Sequence, residues 1–382
     1  MGYDVVYCRT DPDQWTDTSL DFLLDKDSYN VKFLTTGIKY PIDCAVQKST
    51  ANGDADVNSS NPHWMIFDYK KYNILVKLAK QRKDCMVPAS VGYDTQTLKE
   101  IGVSGDILAD TIIKSFQLTG ANPGDPFSDK IRLALKDYPK TIQTETEVVD
   151  KQGNKTTETK TEIEHHYYSI EADNEARKFS SLLIPNTSDG SATKAYLRAL
   201  SEAINNNQEW LPIANSSRGQ VVAAPDLKVT KYHLDKEIIK DQDSTSFNGI
   251  VTIKPYGNVI WGDRTLLQNS SSVSASSYIS LMLVVCDLSK RAYQASVRYT
   301  YESNNSVTWL NYKSMITPLL DQMVSSGVLQ SYSIEKVTAN SENSTSPYNT
   351  MICKITVYPN LPVENFEIYI NLKNADLTLE ND

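Results

Sequence analysis

The sequence has no surplus of basic residues and no long apolar run. Its 38 Lys and Arg are outnumbered by 47 Asp and Glu, giving a formal net charge of -9. This balance argues against nucleic-acid binding, because phosphate neutralisation needs clustered cations. No apolar run approaches the roughly 18 residues of a membrane helix, and the first residues lack the basic and apolar regions of a signal peptide. We therefore expect no nucleic-acid partner and no insertion into a membrane.

Residues that carry metal, redox or nucleotide chemistry are also scarce. The 5 Cys are far apart and form no C-x-x-C pair, which favours reduced thiols packed as small apolar side chains. No Gly-rich phosphate loop, H-E-x-x-H or G-x-S-x-G motif occurs. His165 and His166 are adjacent, so on a strand they point to opposite faces and cannot hold one metal ion together. The sequence predicts no catalytic residues, no metal and no cofactor.

Changes in composition divide the chain into three parts. Residues 1–62 mix short apolar runs with polar breakers, which predicts a small strand-containing N-terminal segment. Residues 63–268 alternate strand and helix patterns, which predicts an α/β middle domain with a partly parallel sheet. A Ser-rich break at 269–277 is followed by a mixed α+β C-terminal domain, 275–382.

Within the middle domain, local periodicity predicts individual elements. A helical spacing of apolar residues begins at Ile74, and the basic residues that follow, Arg82 among them, are placed on other faces. The stretches HHYYSIE, 165–171, and SSLLIP, 180–185, are interpreted as strands. Residues 143–164 alternate Thr with charge around a KQGN turn, which predicts a polar two-stranded hairpin standing in solvent.

The C-terminal domain contains an apolar run whose structure periodicity does not decide. YISLMLVVCDL fits either a strand or a buried helix. The next segment, 306–326, has the period of a helix, with Ser306 or Thr308 as its cap and Pro318 as a kink or first-turn residue. Its predicted core positions are Trp309, Ile316 and Leu320. Segments 351–358 and 366–372 alternate apolar and polar residues, as strands do.

The stretch YGNVIWGDRTLLQ, 256–268, combines a Trp, a Gly, an acid, an Arg and a Thr. It fits a ligand loop built around Trp261 and Arg264. It equally fits a strand end, where Trp261 fills the core and Gly262 lets the backbone turn tightly. The stretch taken alone leaves both interpretations open.

Several such motifs follow one another in a definite order. They are LAKQRKDCMVPAS, HHYYSIE, SLLIPNTSDGSATKAYL, EWLPIANSSRGQVV, NGIVTIKPYGNVIWGDRTLLQ, VTWLNYKSMITPLLDQMVSSGVLQSYSIE and CKITVYPNLPVENFEIYI. In this order the chain resembles the tail sheath proteins of contractile, myovirus-type bacteriophage tails and contractile injection systems. That family has an Arg-Asp pair before a strand, a Trp-Gly-x-Arg-Thr-Leu box, and a final pair of strands split by Pro. The resemblance covers roughly residues 64–372.

The resemblance implies a subtilisin-like α/β middle domain without catalytic residues, and a C-terminal domain that lies against the tail tube. The sequence departs from the family at its start, which lacks a Pro-Gly-Val-Tyr pattern. It departs again at YISLMLVVCDLSKRAYQASV, where only Lys290 and Arg291 match the family's basic helix start. In this context YGNVIWGDRTLLQ becomes the last strand of the middle domain and the start of a domain junction. The implied junction residues are Trp261, Gly262, Arg264 and Thr265.

The resemblance also implies a function without enzymatic activity. Family members form a helical homo-oligomer of stacked rings around the tail tube protein, contact baseplate and neck proteins, and contract to drive the tube through the host envelope. Such a protein belongs to the virion tail and is assembled in the host cytoplasm. Strands shared between chains would hold neighbours together while the lattice changes. The residues expected to link subunits are Ile352, Lys354, Ile355, Val357, Phe366, Ile368, Ile370 and Leu372.

Two alternatives remain at this level. One is a sheath-related component of the baseplate or neck. The other, from a different class, is a subtilisin-like hydrolase built on the middle domain.

Overall fold

The computed structural model describes residues 14–35, 42–47, 63–117, 124, 126–128, 131–149, 155–206, 208, 210–230, 247–268, 274–337 and 350–363. The predicted strand 366–372 and Cys8 lie outside these residues. Among the described helices, none combines the length and the apolar character needed to cross a membrane.

The α-helices of the described residues are α1 Lys70–Arg82, α2 Thr95–Glu100, α3 Gly105–Phe116, α4 Asn174–Arg177, α5 Ala192–Asn205, α6 Asn215–Arg218, α7 Ile279–Val297 and α8 Ser306–Ser325. Several begin at a side chain that accepts a backbone N–H, as expected of N-caps. Ser104 accepts from Ile107 at the start of α3, and Ser191 accepts from Lys194 at the start of α5. Each of these two helices buries an apolar face, which includes Leu108 and Ile112 in α3 and Tyr196 and Leu200 in α5.

The strands are β1 Ile42–Gln47, β2 His63–Asp68, β3 Val87–Gly92, β4 Pro126–Ser128, β5 Ile131–Leu135, β6 Lys140–Val149, β7 Lys155–Glu164, β8 Ser180–Ile184, β9 Gln220–Val221, β10 Asn248–Ile253, β11 Gly257–Trp261, β12 Leu329–Val337 and β13 Ile352–Pro359. Nine of them form one sheet in the order β4-β5-β2-β1-β3-β8-β10-β11-β9. β2 and β5 are parallel, and so are β3, β8 and β10, while β10 and β11 are antiparallel. The mixed sheet with helices between its strands agrees with the predicted α/β and α+β character.

Two sequence-based expectations for the middle of the chain are wrong. β1 was assigned to a separate N-terminal segment, 1–62, but it pairs with β2 and β3 inside the large sheet. Residue 62 therefore does not separate β1 from the sheet that contains β2 and β3. HHYYSIE, 165–171, forms no strand. Tyr167 makes one isolated bridge to Asp137, and the Tyr168 ring packs edge-on against Tyr138, so side-chain contacts replace a ladder.

The hairpin of β6 and β7 is a separate two-stranded sheet. Its strands pair from Lys140 with Glu164 to Val149 with Lys155, and neither pairs with another described strand. Ile142 and Ile163, its apolar residues near the root, are both exposed. A two-stranded ribbon without a buried face agrees with the polar hairpin that the Thr and charge pattern predicts.

The apolar run that periodicity left undecided is the long helix α7. Its first half, including Met282 and Leu283, belongs to the large core under the nine-stranded sheet. Val284, Leu288 and Ala295 belong instead to a second core with α8 and the sheet of β12 and β13. A helix that faces two cores is apolar on most sides, and this is why no single period stands out.

The helix α8 differs from its prediction at its start. The cap is Asn305, whose side-chain oxygen accepts the N–H groups of Val307 and Thr308, both at 2.9 Å. Pro318 lies inside α8, which continues through it to Ser325. Of the predicted core positions, Ile316 and Leu320 are fully buried and Trp309 is half-buried against the second core.

Candidate assembly site

The sheet of β12 and β13 has open strand edges, as the polar hairpin of β6 and β7 also does, but it is the one of the two that packs on a core. The two strands are antiparallel, from Leu329 opposite Pro359 to Val337 opposite Ile352, and among the described residues they pair only with each other. Each strand therefore has one outer edge without a described strand partner. Unpaired N–H and C=O groups along such an edge form a template for another strand.

One face of this sheet rests on the second core. The predicted linking residues Ile355 and Val357 are half-buried against that core, whereas Lys354 is exposed. Ile352 is half-buried at the start of β13. Phe366, Ile368, Ile370 and Leu372 lie outside the described residues. The core thus fixes one face of β13, and its outer edge pairs with no strand in the part of the chain that the structure describes.

The predicted junction residues meet the start of α7. Trp261 ends β11 and packs half-buried against the large core, and Gly262 follows with φ +111°. The Thr265 N–H donates to the Ser277 carbonyl at 2.9 Å, and its hydroxyl donates to the Ser276 carbonyl at 2.9 Å. The chain after β11 is therefore held alongside the residues that lead into α7.

Arg264 lies at the centre of this contact. Its guanidinium stacks over the Tyr278 ring, 4.7 Å from the centroid, and its backbone forms a bridge with the same residue. The Asn248 side chain forms two hydrogen bonds with the Arg264 backbone. Its oxygen accepts the Arg264 N–H at 2.7 Å, and its amide group donates to the Arg264 carbonyl at 2.8 Å. All three residues are buried. Arg264 is thus a packing residue between β10 and the start of α7.

Asp263 completes the junction by capping α7 from outside the helix. Its carbonyl accepts the Ile279 N–H at 2.9 Å, and its carboxylate accepts the Ser280 hydroxyl at 2.5 Å and the Ser280 N–H at 3.2 Å. A carboxylate at a helix N-terminus satisfies free N–H groups and opposes the helix dipole. Bonds between 263–265 and 276–280 thus attach α7 to the large sheet.

A buried polar cluster attaches residues 14–35 to the same helix. Lys290 of α7 donates to the Val31 carbonyl at 2.7 Å, and Lys32 lies 3.7 Å from the Asp287 carboxylate. Trp210 also donates to that carboxylate, at 3.0 Å. Burial lowers the pKa of Lys290, and the negative charges of Asp84 and Asp287 oppose that shift. One helix therefore connects three parts of the chain.

The cysteines beside this cluster are structural. Among the described residues, Cys44, Cys85, Cys286 and Cys353 form no disulfide. Burial raises the pKa of the Cys85 thiol to about 12, and it raises the pKa of Cys286 as well. Both groups stay protonated at neutral pH and are poor nucleophiles.

Comparison with known proteins finds similarity in structure alone. No family profile and no curated protein matches the chain. The anti-feeding prophage (AFP) baseplate, 6-fold symmetrised, matches with 16% identity and a TM-score of 0.43 over 52% of this chain and 55% of that chain. The contracted PVC sheath complex, from an extracellular contractile injection system, matches with 16% identity and a TM-score of 0.42 over 55% of this chain and 62% of that one. The AFP baseplate in its contracted state matches with 21% identity and a TM-score of 0.42, over 55% and 56%.

Two of these solved structures are of the AFP baseplate, and the third is of the sheath complex of an extracellular contractile injection system. The match spans little more than half the length of each of those chains. At this degree of similarity, the role of the chain has to be inferred from its own residues.

Two residues with a role at the junction, Asn248 and Asp263, were not predicted from the sequence. Asn248 begins β10 in an Asn-Gly pair, which normally indicates a turn, and nothing in the sequence links it to Arg264. Asp263 lies between two residues that were identified, but its partner Ser280 belongs to the run whose structure was undecided. The signal that could have revealed Asp263 is the absence of a good N-cap directly before α7.

We predict that Gly262→Ala weakens the fold at this junction. A Cβ at Gly262 would lie 2.8 Å from the Asn248 side-chain oxygen, and the backbone has φ +111°. Strain and crowding together should lower the free energy of unfolding by roughly 2–4 kcal/mol, measured by urea denaturation. The matched control is Gly257→Ala, which has φ +82° but no atom within 4 Å of the added Cβ. If the two variants lose the same free energy of unfolding, the close packing of Gly262 against Asn248 does not stabilise the junction.

Proposed function

We propose that the chain is the sheath subunit of a contractile tail. It polymerises helically around a tail tube and contracts to drive the tube through the host envelope. The observation that carries this proposal is the sheet of β12 and β13, whose outer edges have no partner among the described residues. The strand-patterned segment 366–372 follows it directly in the sequence. Strand addition between copies needs an accepting strand edge on one copy and a donated strand from another, and this chain has a candidate for each.

A second feature supports the proposal, because a sheath subunit must change its neighbours without coming apart itself. Helix α7 contributes side chains to both cores, and its start is bonded to 263–265. A subunit built this way can move as one body while contacts on its surface exchange. Bonds of a shared strand ladder persist through such a motion, whereas exposed ion pairs are individually weak and can re-form.

The partners and location follow from this proposal. The chain would form stacked rings of identical copies, contact the tail tube protein on the inside, and meet baseplate and neck proteins at the ends. It would act in the virion tail after assembly in the host cytoplasm. The middle domain would be a subtilisin-like scaffold without catalytic activity, and contraction would require no cofactor, since the extended lattice is a stored state.

Negative-stain electron microscopy of the purified full chain tests the proposal. We expect helical tubes or stacked rings at micromolar concentration, and no peptidase turnover with a casein substrate. Isolated rings that never stack would indicate a baseplate or neck component. A persistent monomer that cleaves casein would show that the chain is a hydrolase and overturn the proposal.

A further inference from the structure

Asn360 fastens the chain at the point where it leaves β13. Its backbone N–H donates to the Val328 carbonyl at 3.0 Å, and its side-chain amide donates to the Gly327 carbonyl at 2.8 Å. Gly327 and Val328 form the connection from α8 into β12. The exit is therefore held on the β12 side of β13, away from the outer edge of β13.

Two prolines lie on either side of Asn360 and limit further strand pairing there. Pro359 is the last residue of β13 in the ladder, and Pro362 follows three residues later. Proline has no backbone N–H, and it restricts the residue before it to an extended conformation. The side chains of Leu361 and Val363 are 54% and 68% exposed. Residues 361–363 thus include a rigid proline between two exposed apolar side chains.

This arrangement opposes a competing fold of the same chain. The residues 360–365 could act as a hairpin loop and let 366–372 pair with the outer edge of its own β13. A tethered strand meets its own edge at an effective concentration near the millimolar range, far above that of a second copy. Self-pairing would cover the accepting edge and withdraw the donated strand at once, so assembly needs a feature that disfavours it.

We propose that Asn360 is a positioning residue that directs the segment 366–372 toward a second copy of this chain and away from its own β13. This inference rests on the proposed strand addition between copies. Leu361 and Val363 would be covered by the neighbouring copy, because they lead directly into the shared strand. With both Asn360 bonds in place, the loop that self-pairing requires has to bend back across the end of β13.

The test compares Asn360→Ala, which removes the side-chain bond, with Asn206→Ala, an exposed asparagine whose side chain makes no described bond at the end of α5. We expect Asn360→Ala to raise the critical concentration for assembly, measured by sedimentation, about fivefold, the effect of roughly one net hydrogen bond. Asn206→Ala should leave it unchanged.

Hydrogen exchange in the soluble monomer separates positioning from simple stability. Amides of β13 that point to its outer edge should exchange about fivefold more slowly in Asn360→Ala than in the wild-type monomer, because the self-pairing that raises the critical concentration also covers them. Truncation at residue 363 removes the competing strand and should restore fast exchange in the Asn360→Ala background. An unchanged critical concentration, or a raised one without slower exchange, would overturn the inference. Strand addition would still stand if the truncated wild-type chain fails to assemble.

Discussion

Removing residues 364–382 is expected to abolish assembly and leave the monomer folded. Both cores lie within the described residues that the truncation retains, and Asn360 keeps its two bonds. The lost segment contains the alternating strand 366–372 that we propose is shared between copies. Three or more ladder bonds at about 1 kcal/mol each imply a rise in critical concentration of at least about a hundredfold. Sedimentation and negative-stain microscopy measure this, and circular dichroism checks the fold.

A nested truncation provides the control. Removing only 375–382 keeps Phe366, Leu372 and every residue between them, while it discards most of the polar end. This shorter truncation should assemble as the full chain does. Polymers of normal appearance from the chain that ends at residue 363 would contradict strand addition through this segment. The sheath proposal would then need another contact between copies.

The fold could be predicted from the sequence where one short window decides the structure. The helices α3 and α5 each have a single apolar face, and caps such as Ser104 and Ser191 lie at their starts. The hairpin of β6 and β7 was equally predictable, because Thr and charged residues alternate along both of its strands. In these elements, the residues that determine the structure lie close together in the sequence.

The fold was predicted incompletely where an element's structure depends on contacts with residues far away in the sequence. Helix α7 has two apolar faces because two cores meet on it, and neither core can be recognised from the run itself. A polar stretch of sequence, 48–62, separates β1 from β2, so the place of β1 inside the large sheet depends on pairing that composition does not encode. At the junction, the identified Arg264 is held by Asn248 and packs on Tyr278, contacts that only the folded chain brings together.

Arg82 is the clearest example of such a residue. Helical periodicity places it on an outer face of α1, yet its side chain is 0% exposed. It forms a two-pronged contact with Asp84, with Nε 2.9 Å from one carboxylate oxygen and Nη2 3.0 Å from the other. The same guanidinium donates to the carbonyls of Leu23 and Tyr29 in the segment 14–35. A positive charge can be buried here because a carboxylate and two carbonyls satisfy its donors.

Replacing Arg82 by Ala is therefore expected to destabilise the whole chain. The substitution leaves the Asp84 carboxylate, 2% exposed, without its main counter-ion and leaves two carbonyls without a donor. Breaking a buried ion pair from one side costs about 3–5 kcal/mol, a large part of the stability of a typical domain. Urea denaturation measures the loss. Trypsin digestion should also cut first within 14–35, because that segment loses its attachment to α1.

The pair itself can be separated from the rest of the network by a double-mutant cycle. Arg82→Ala combined with Asp84→Ala should be less destabilised than the sum of the single variants, since no lone buried carboxylate remains. The matched control is Arg198→Ala, where the side chain is 65% exposed and lies 4.0 Å from Glu202. Its removal should change the free energy of unfolding by less than about 0.5 kcal/mol. If Arg82→Ala is as mild as this control, the attachment of the N-terminal segment does not depend on the buried guanidinium, and the bonds of Lys290 and Lys32 are then enough to hold it.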